Sequence, residues 1–147
     1  MDRVSLLMLG VAVAAIASSC TTDVLDVSYA TQAEATAAGA VKRGWVPAWV
    51  PPEATGLQEV HKVDTSESAL FFSLPPGLRW KLPAPCRKAD GGEFSEPAFS
   101  RSWLPDTRSG YTFYSCPSGV SASVPVIAAV AVRQDGQRVL HWRVFAR

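Results

Sequence analysis

The chain has 147 residues, 48% of them hydrophobic and 18% charged, with a formal net charge of +1. That length supports one domain. The balance excludes wholesale disorder, and the small charge excludes the basic footprint of a nucleic-acid partner.

The first element is residues 4–17, a run of apolar or small side chains preceded by Arg3. It is shorter than the roughly 18–20 residues a membrane-spanning helix needs. The run ends in Ile16-Ala17-Ser18-Ser19-Cys20. Small residues before a cysteine resemble the lipobox of bacterial lipoproteins. The resemblance implies that residues 1–19 are a cleaved signal peptide and that Cys20 carries diacylglycerol and an acylated amine. Several acyl chains on one residue hold a membrane stably, where one chain is marginal. An ordinary cleaved signal and an uncleaved anchor are the other readings. Thr21 is permissive for outer-membrane sorting in the Gram-negative pattern. The expected location is therefore the cell envelope, on the outer membrane facing the periplasm.

Residues 20–26 read as a tether and 27–147 as a single head domain. Val27-Ser28-Tyr29 predicts a short strand. Thr31 with Glu34 three positions on is a capping box, so a helix starts there. It is expected to run to about Arg43 and stop at Gly44, with Ala33, Ala37, Ala40 and Val41 on its inner face and Gly39 in mid-helix. Trp45-Val46-Pro47-Ala48-Trp49-Val50-Pro51-Pro52 then forbids a helix and favours extended or polyproline backbone. Trp45 and Trp49 read as core pegs or as a surface on which a ligand stacks.

Alternation predicts strands at 57–63, 69–74 and 78–82, with turns at Asp64-Thr65-Ser66 and Pro75-Pro76-Gly77. Residues 83–110 are a long loop, with Phe94, Phe99 and Trp103 available to tuck it down. Strands follow at 111–116, 124–133 and 138–145, with a turn at 116–119. The last two strands form a hairpin closed by Asp135-Gly136. The expected fold class is α+β: one N-terminal helix packed on a mainly antiparallel sheet of about five or six strands, ending in a C-terminal β-hairpin.

With Cys20 lipidated, Cys86 and Cys116 remain as an even pair in an oxidising compartment. A disulfide between them is the natural reading; separately buried thiols are the alternative. It would stabilise the fold by about 3–4 kcal/mol on chain-entropy grounds.

The chain has two histidines. Glu59, His61 and Asp64 form Glu-x-His-x-x-Asp, which could hold a divalent ion, make an acid–base pair, or serve as a hydrogen-bonded structural cluster. His141 reads as a satisfied or exposed strand histidine. There is no Gly-x-Ser-x-Gly elbow, phosphate loop or His-Glu-x-x-His pattern, so no catalytic residue, cofactor or metal is assigned.

Tyr29-x-Thr31-x-x-Glu34-Ala35, Gly39-Ala40, Gly44-Trp45-Val46-Pro47-x-Trp49-Val50-Pro51 and Ala54-Thr55-x-Leu57-x-Glu59-x-His61-x-Val63-Asp64-Thr65 together resemble the YbbD-like family of small bacterial lipoproteins. The similarity covers residues 29–74, with a weaker echo in the closing hairpin. It implies a lipoprotein head domain and no reaction. The leading expectation is a non-enzymatic envelope lipoprotein, with the membrane and possible envelope components as partners. The rivals are a metal-binding or hydrolytic protein using Glu59, His61 and Asp64, and a small-ligand binder using Trp45 and Trp49.

Overall fold

Side chains on a strand alternate between two faces, so a strand that is apolar on both must be covered on both. Val126–Arg133 is such a strand, and the fold is built around it. A computed structural model describes residues 23–105, 109–117 and 126–145. The expected leader 1–19, Cys20, and most of the turn and strand start expected at 116–125 lie outside the described residues.

Seven strands form one antiparallel sheet: β1 (Val24–Thr31), β2 (Thr55–Lys62), β3 (Ser68–Ser73), β4 (Arg87–Ala89), β5 (Tyr111–Pro117), β6 (Val126–Arg133) and β7 (Arg138–Phe145). Their order is β1-β2-β3-β7-β6-β5-β4, so β3 and β7 join an N-terminal half to a C-terminal half. Arg138–Phe145 has the bounds expected of it, and Gly136 takes the positive φ that its hairpin needs.

One face carries Tyr29, Leu57, Leu70, Phe72, Val130 and Val139. Ala35, Ala40, Val46, Val50 and Ala54 roof it, with Leu78, Trp80 and Leu82 packed alongside. The other face carries Val60, Ala69, Phe113, Leu140, Trp142 and Val144. There the long loop supplies Phe94, Phe99, Trp103 and Leu104 as cover. Arg101 clamps that loop to β1 through two hydrogen bonds to Asp26, at 2.6 and 2.8 Å. The indole Nε1–H of Trp142 donates to the Ser95 carbonyl at 3.0 Å.

Several local expectations are corrected. The helix, α1, spans only Gln32–Ala37. Thr31 caps it as expected by accepting from the Glu34 amide at 3.2 Å, while the Glu34 carboxylate accepts from the Ala30 amide at 2.6 Å. Gly39, at φ +77°, then ends it: its amide donates to Thr36 and that of Ala40 to Ala35, the paired bonds of a Schellman closure. A single further turn follows and closes the same way at Gly44, where Gly44 donates to Val41 and Trp45 to Ala40. The inward residues are accordingly Ala35 and Ala40, while Ala33 and Ala37 are exposed.

The proline-rich stretch is not extended. Pro47 and Pro51 open successive turns whose carbonyls accept from Val50 and Ala54, so that Val46, Val50 and Ala54 return to the core at equal spacing. Residues 78–82 alternate as a strand would, but both edges of β3 are already paired, to β2 and β7. The segment instead lies over the sheet and inserts Leu78, Trp80 and Leu82. Residues 24–26 of the expected tether already belong to β1, and the short β4 adds a strand that periodicity did not indicate.

Candidate functional site

The apolar face under the roof contains a patch of polar side chains. Register places His61 of β2 opposite Ser68 of β3, and Ser68 opposite Arg143 of β7. In the next row Glu59 lies opposite Leu70, and Leu70 opposite His141. Strand alternation therefore puts Glu59, His61, Ser68, His141 and Arg143 on one face of three adjacent strands, β2, β3 and β7.

Glu59 and His61 form a dyad. Nδ1 of His61 is 2.8 Å from one Glu59 carboxyl oxygen and 3.0 Å from the other. The Glu59 side chain has no exposed surface, and that of His61 is 8% exposed. Burial pushes the Glu59 carboxyl up to about 8, even though the Arg143 guanidinium pulls the other way. Burial also lowers the His61 pKa, and the charges of Arg43 and Arg143 lower it further. Both shifts favour one arrangement at neutral pH: a protonated carboxyl donating to Nδ1 of a neutral imidazole, which leaves the imidazole proton on Nε2.

Trp45 completes the dyad. Its ring stacks on His61, with centroids 3.8 Å apart and planes 10° from parallel. The Arg143 guanidinium also lies over the indole, its carbon 5.5 Å from the ring centroid. Ser68 stands between His61 and Arg143 in the register, and its Oγ accepts from the Arg143 Nε–H at 2.8 Å.

Trp49 sits in a second aromatic group with Phe72, Trp80 and His141, meeting His141 edge-on at 5.4 Å. Burial drives the His141 pKa down to about 3, so the ring is neutral, and its Nδ1 contacts the Ala129 carbonyl at 3.2 Å. A cleft of about 130 Å³ opens beside this group, lined by Pro47, Trp49, Cys116, Ala128, His141 and Arg143. A larger cleft, about 250 Å³, lies in the loop around Phe99 and Leu104. Its cation, Arg101, is already committed to Asp26, whereas the smaller cleft is lined by His141 and Arg143 of the polar patch, so the smaller cleft is the better candidate site.

The three-residue cluster expected at Glu59, His61 and Asp64 is therefore a pair. Asp64 lies beyond the end of β2, 56% exposed, and pairs with Lys62 at 3.8 Å. Among the described residues no group of three His, Cys, Asp or Glu side chains comes close enough to hold a metal ion. The metal-binding alternative using Glu59, His61 and Asp64 is corrected accordingly. Trp45 is partly buried and stacks on His61, whereas Trp49 borders the cleft. Cys86 and Cys116 are disulfide-bonded, with Cα atoms 4.2 Å apart, stapling the start of β4 to β5. Sequence reasoning missed Ser68 and Arg143 and placed His141 outside any site. The available signal was polar residues at inward positions of otherwise apolar strands.

Residues 23–73 match the family model of the YbbD head domain. This is the family that the Gly44-Trp45-Val46-Pro47-x-Trp49 and Glu59-x-His61 motifs resemble. No curated protein and no solved structure matches the chain. The YbbD head match spans β1 to β3, α1 and the roof, and so holds Trp45, Trp49, Glu59, His61 and Ser68. His141 and Arg143 come from β7, beyond the matched head-domain segment.

Proposed function

We propose that the chain is a non-enzymatic binding head of the bacterial cell envelope, held to a membrane by lipid on Cys20. The observation that carries this reading is the Cys86–Cys116 disulfide. Such bonds persist in oxidising compartments. With that pair formed, Cys20 is the remaining cysteine, and it stands at the end of the apolar run in the lipobox position. The sheet and its roof then form a head that starts a few residues from the bilayer surface, facing another envelope component or a small ligand. Thr21 is permissive for outer-membrane sorting, which would leave the head facing the periplasm.

The reading is non-enzymatic because the dyad is built for rigidity. Its carboxyl has no exposed surface, its imidazole stacks on Trp45, and the neighbouring Ser68 hydroxyl is engaged by Arg143. Mass spectrometry of the mature N-terminus tests the anchor. The expected N-terminal peptide begins at a Cys20 bearing diacylglyceryl and acyl groups. An unmodified Cys20, or cleavage elsewhere, removes the proposal. No helix among the described residues is long and apolar enough to cross a membrane.

A further inference from the structure

Arg143 is the least settled charge on the roofed face. Burial lowers its pKa, and it has no salt-bridge partner among the described residues. Its Nε–H is taken by Ser68, and its guanidinium carbon lies 5.5 Å from the Trp45 ring centroid. Its two terminal amino groups have no hydrogen-bond partner among the described residues. The nearby carboxyl, Glu59, is engaged by His61 and held protonated at neutral pH. Those amino groups are open to solvent, so a carboxylate that replaces water on them meets a cation not shared with an ionised protein group.

The cleft beside Trp49 can admit that group. Arg143 lines it, and no acidic residue does. Its other walls are apolar or neutral residues, among them Trp49, Pro47, Ala128, the disulfide-bonded Cys116 and the neutral His141. We infer that this cleft binds a compact monocarboxylate, its carboxylate on the terminal amino groups of Arg143 and its apolar body against Trp49 and Pro47. A guanidinium matches a carboxylate through two parallel hydrogen bonds. A dianionic phosphate fits less well, because a single cation among apolar walls cannot satisfy its charge. The volume, about 130 Å³, is close to the roughly 150 Å³ of an apolar cavity that holds benzene, which limits the body to about one six-membered ring.

This inference rests on the reading of the domain as a binding head and not on the lipid anchor. Failure of lipidation at Cys20 leaves the expected affinities unchanged, so the two fail separately. The test uses the full chain in detergent, titrated with benzoate and followed by calorimetry and by tryptophan fluorescence, with benzamide, acetate and inorganic phosphate as comparison probes. Benzoate should saturate a single site below about 10 mM, and benzamide and phosphate should bind about tenfold more weakly or not at all. Arg143→Gln should weaken benzoate by about tenfold or more. Ala128→Val narrows the cleft and keeps the guanidinium, so benzoate should weaken while acetate is unaffected. Equal binding of benzoate and benzamide, full affinity in Arg143→Gln, or no saturation by benzoate overturns the inference. If Arg143→Gln fails to fold, the benzamide comparison and Ala128→Val decide it.

Discussion

His61 and Glu59 share one hydrogen bond, Nδ1 to carboxyl at 2.8 Å, at a point of the sheet where the carboxyl is sealed from solvent. Two positions apart on one strand, they face the same way, so β2 alone creates the pair. The roof then decides its protonation by excluding water.

That protonation sets a pH dependence. The Glu59 carboxyl is raised in the fold to about 8 from an ordinary value of 4.5. Its contribution to stability is therefore complete below pH 4.5 and is lost as pH rises through about 8. His141 is depressed to about 3 from 6.5, so its contribution is complete above pH 6.5 and is lost as pH falls toward 3. His61 shifts in the same direction as His141. Between 4.5 and 6.5 the glutamate and histidine effects oppose each other. Stability should thus peak in mildly acid solution and fall on both sides, with a limiting slope of about 1.4 kcal/mol per pH unit for one proton. Urea unfolding across pH 3–9 measures this. Glu59→Gln, which keeps a donor to Nδ1 and removes the titration, should abolish the fall between pH 6.5 and 8. An unchanged alkaline fall in that variant would show that another group is responsible.

Trp45 stacks on His61, so its removal should do two separable things. Trp45→Ala should cost about 2–4 kcal/mol, less than a fully enclosed indole because the ring is only partly buried. It should also let water reach His61 and raise its pKa toward 6.5, a change that NMR titration of the imidazole reports. Trp45→Phe keeps a stacking ring and should retain most of both effects. A large stability loss with no movement of the His61 titration would mean that Trp45 packs against the fold without shielding the dyad.

The disulfide fastens the edge strand β4 to β5, and its loss should be felt there first. Replacing both Cys86 and Cys116 by serine releases a link between residues 30 apart. The expected cost is about 3–4 kcal/mol from chain entropy. β4 has only three residues and pairs only with β5, so amide exchange at Arg87–Ala89 should accelerate before that of β6 and β7. Equal acceleration throughout the sheet would show that the bond stabilises the fold globally and not at its edge.

What could be read in the sequence was local. Asp135-Gly136 announced its hairpin because the turn's backbone demand falls on the glycine itself. Glu59 and His61 were legible as a pair because a two-residue period puts them on one face. Ser68 and Arg143 join them only through strand register across residues 75 apart, which no local pattern encodes. The same limit explains residues 78–82, whose alternation is real but whose expected neighbours were already paired. Asp64 failed as a member of the cluster for a local reason, since it lies in the turn beyond β2 and not on the strand.

The length of α1 depends on what Gly39 does, and one substitution decides it by sign. The alanine-rich run 33–43 favours a continuous helix on propensity, and in such a helix Gly39→Ala would stabilise by up to about 1 kcal/mol. In the structure Gly39 is instead the left-handed residue that ends α1, at φ +77°, and a Cβ added there would approach the Arg43 guanidinium to 2.9 Å. The guanidinium can swing aside, although it then loses its 3.0 Å bond to the Ala38 carbonyl. The backbone strain cannot be relieved so easily. Gly39→Ala should therefore destabilise the protein by about 1–2 kcal/mol. Thermal or urea unfolding of this variant measures the sign directly. A gain in stability would mean that the helix continues through residue 39, and that the two successive turns leading to Trp45 are not the conformation that presents this ring to His61.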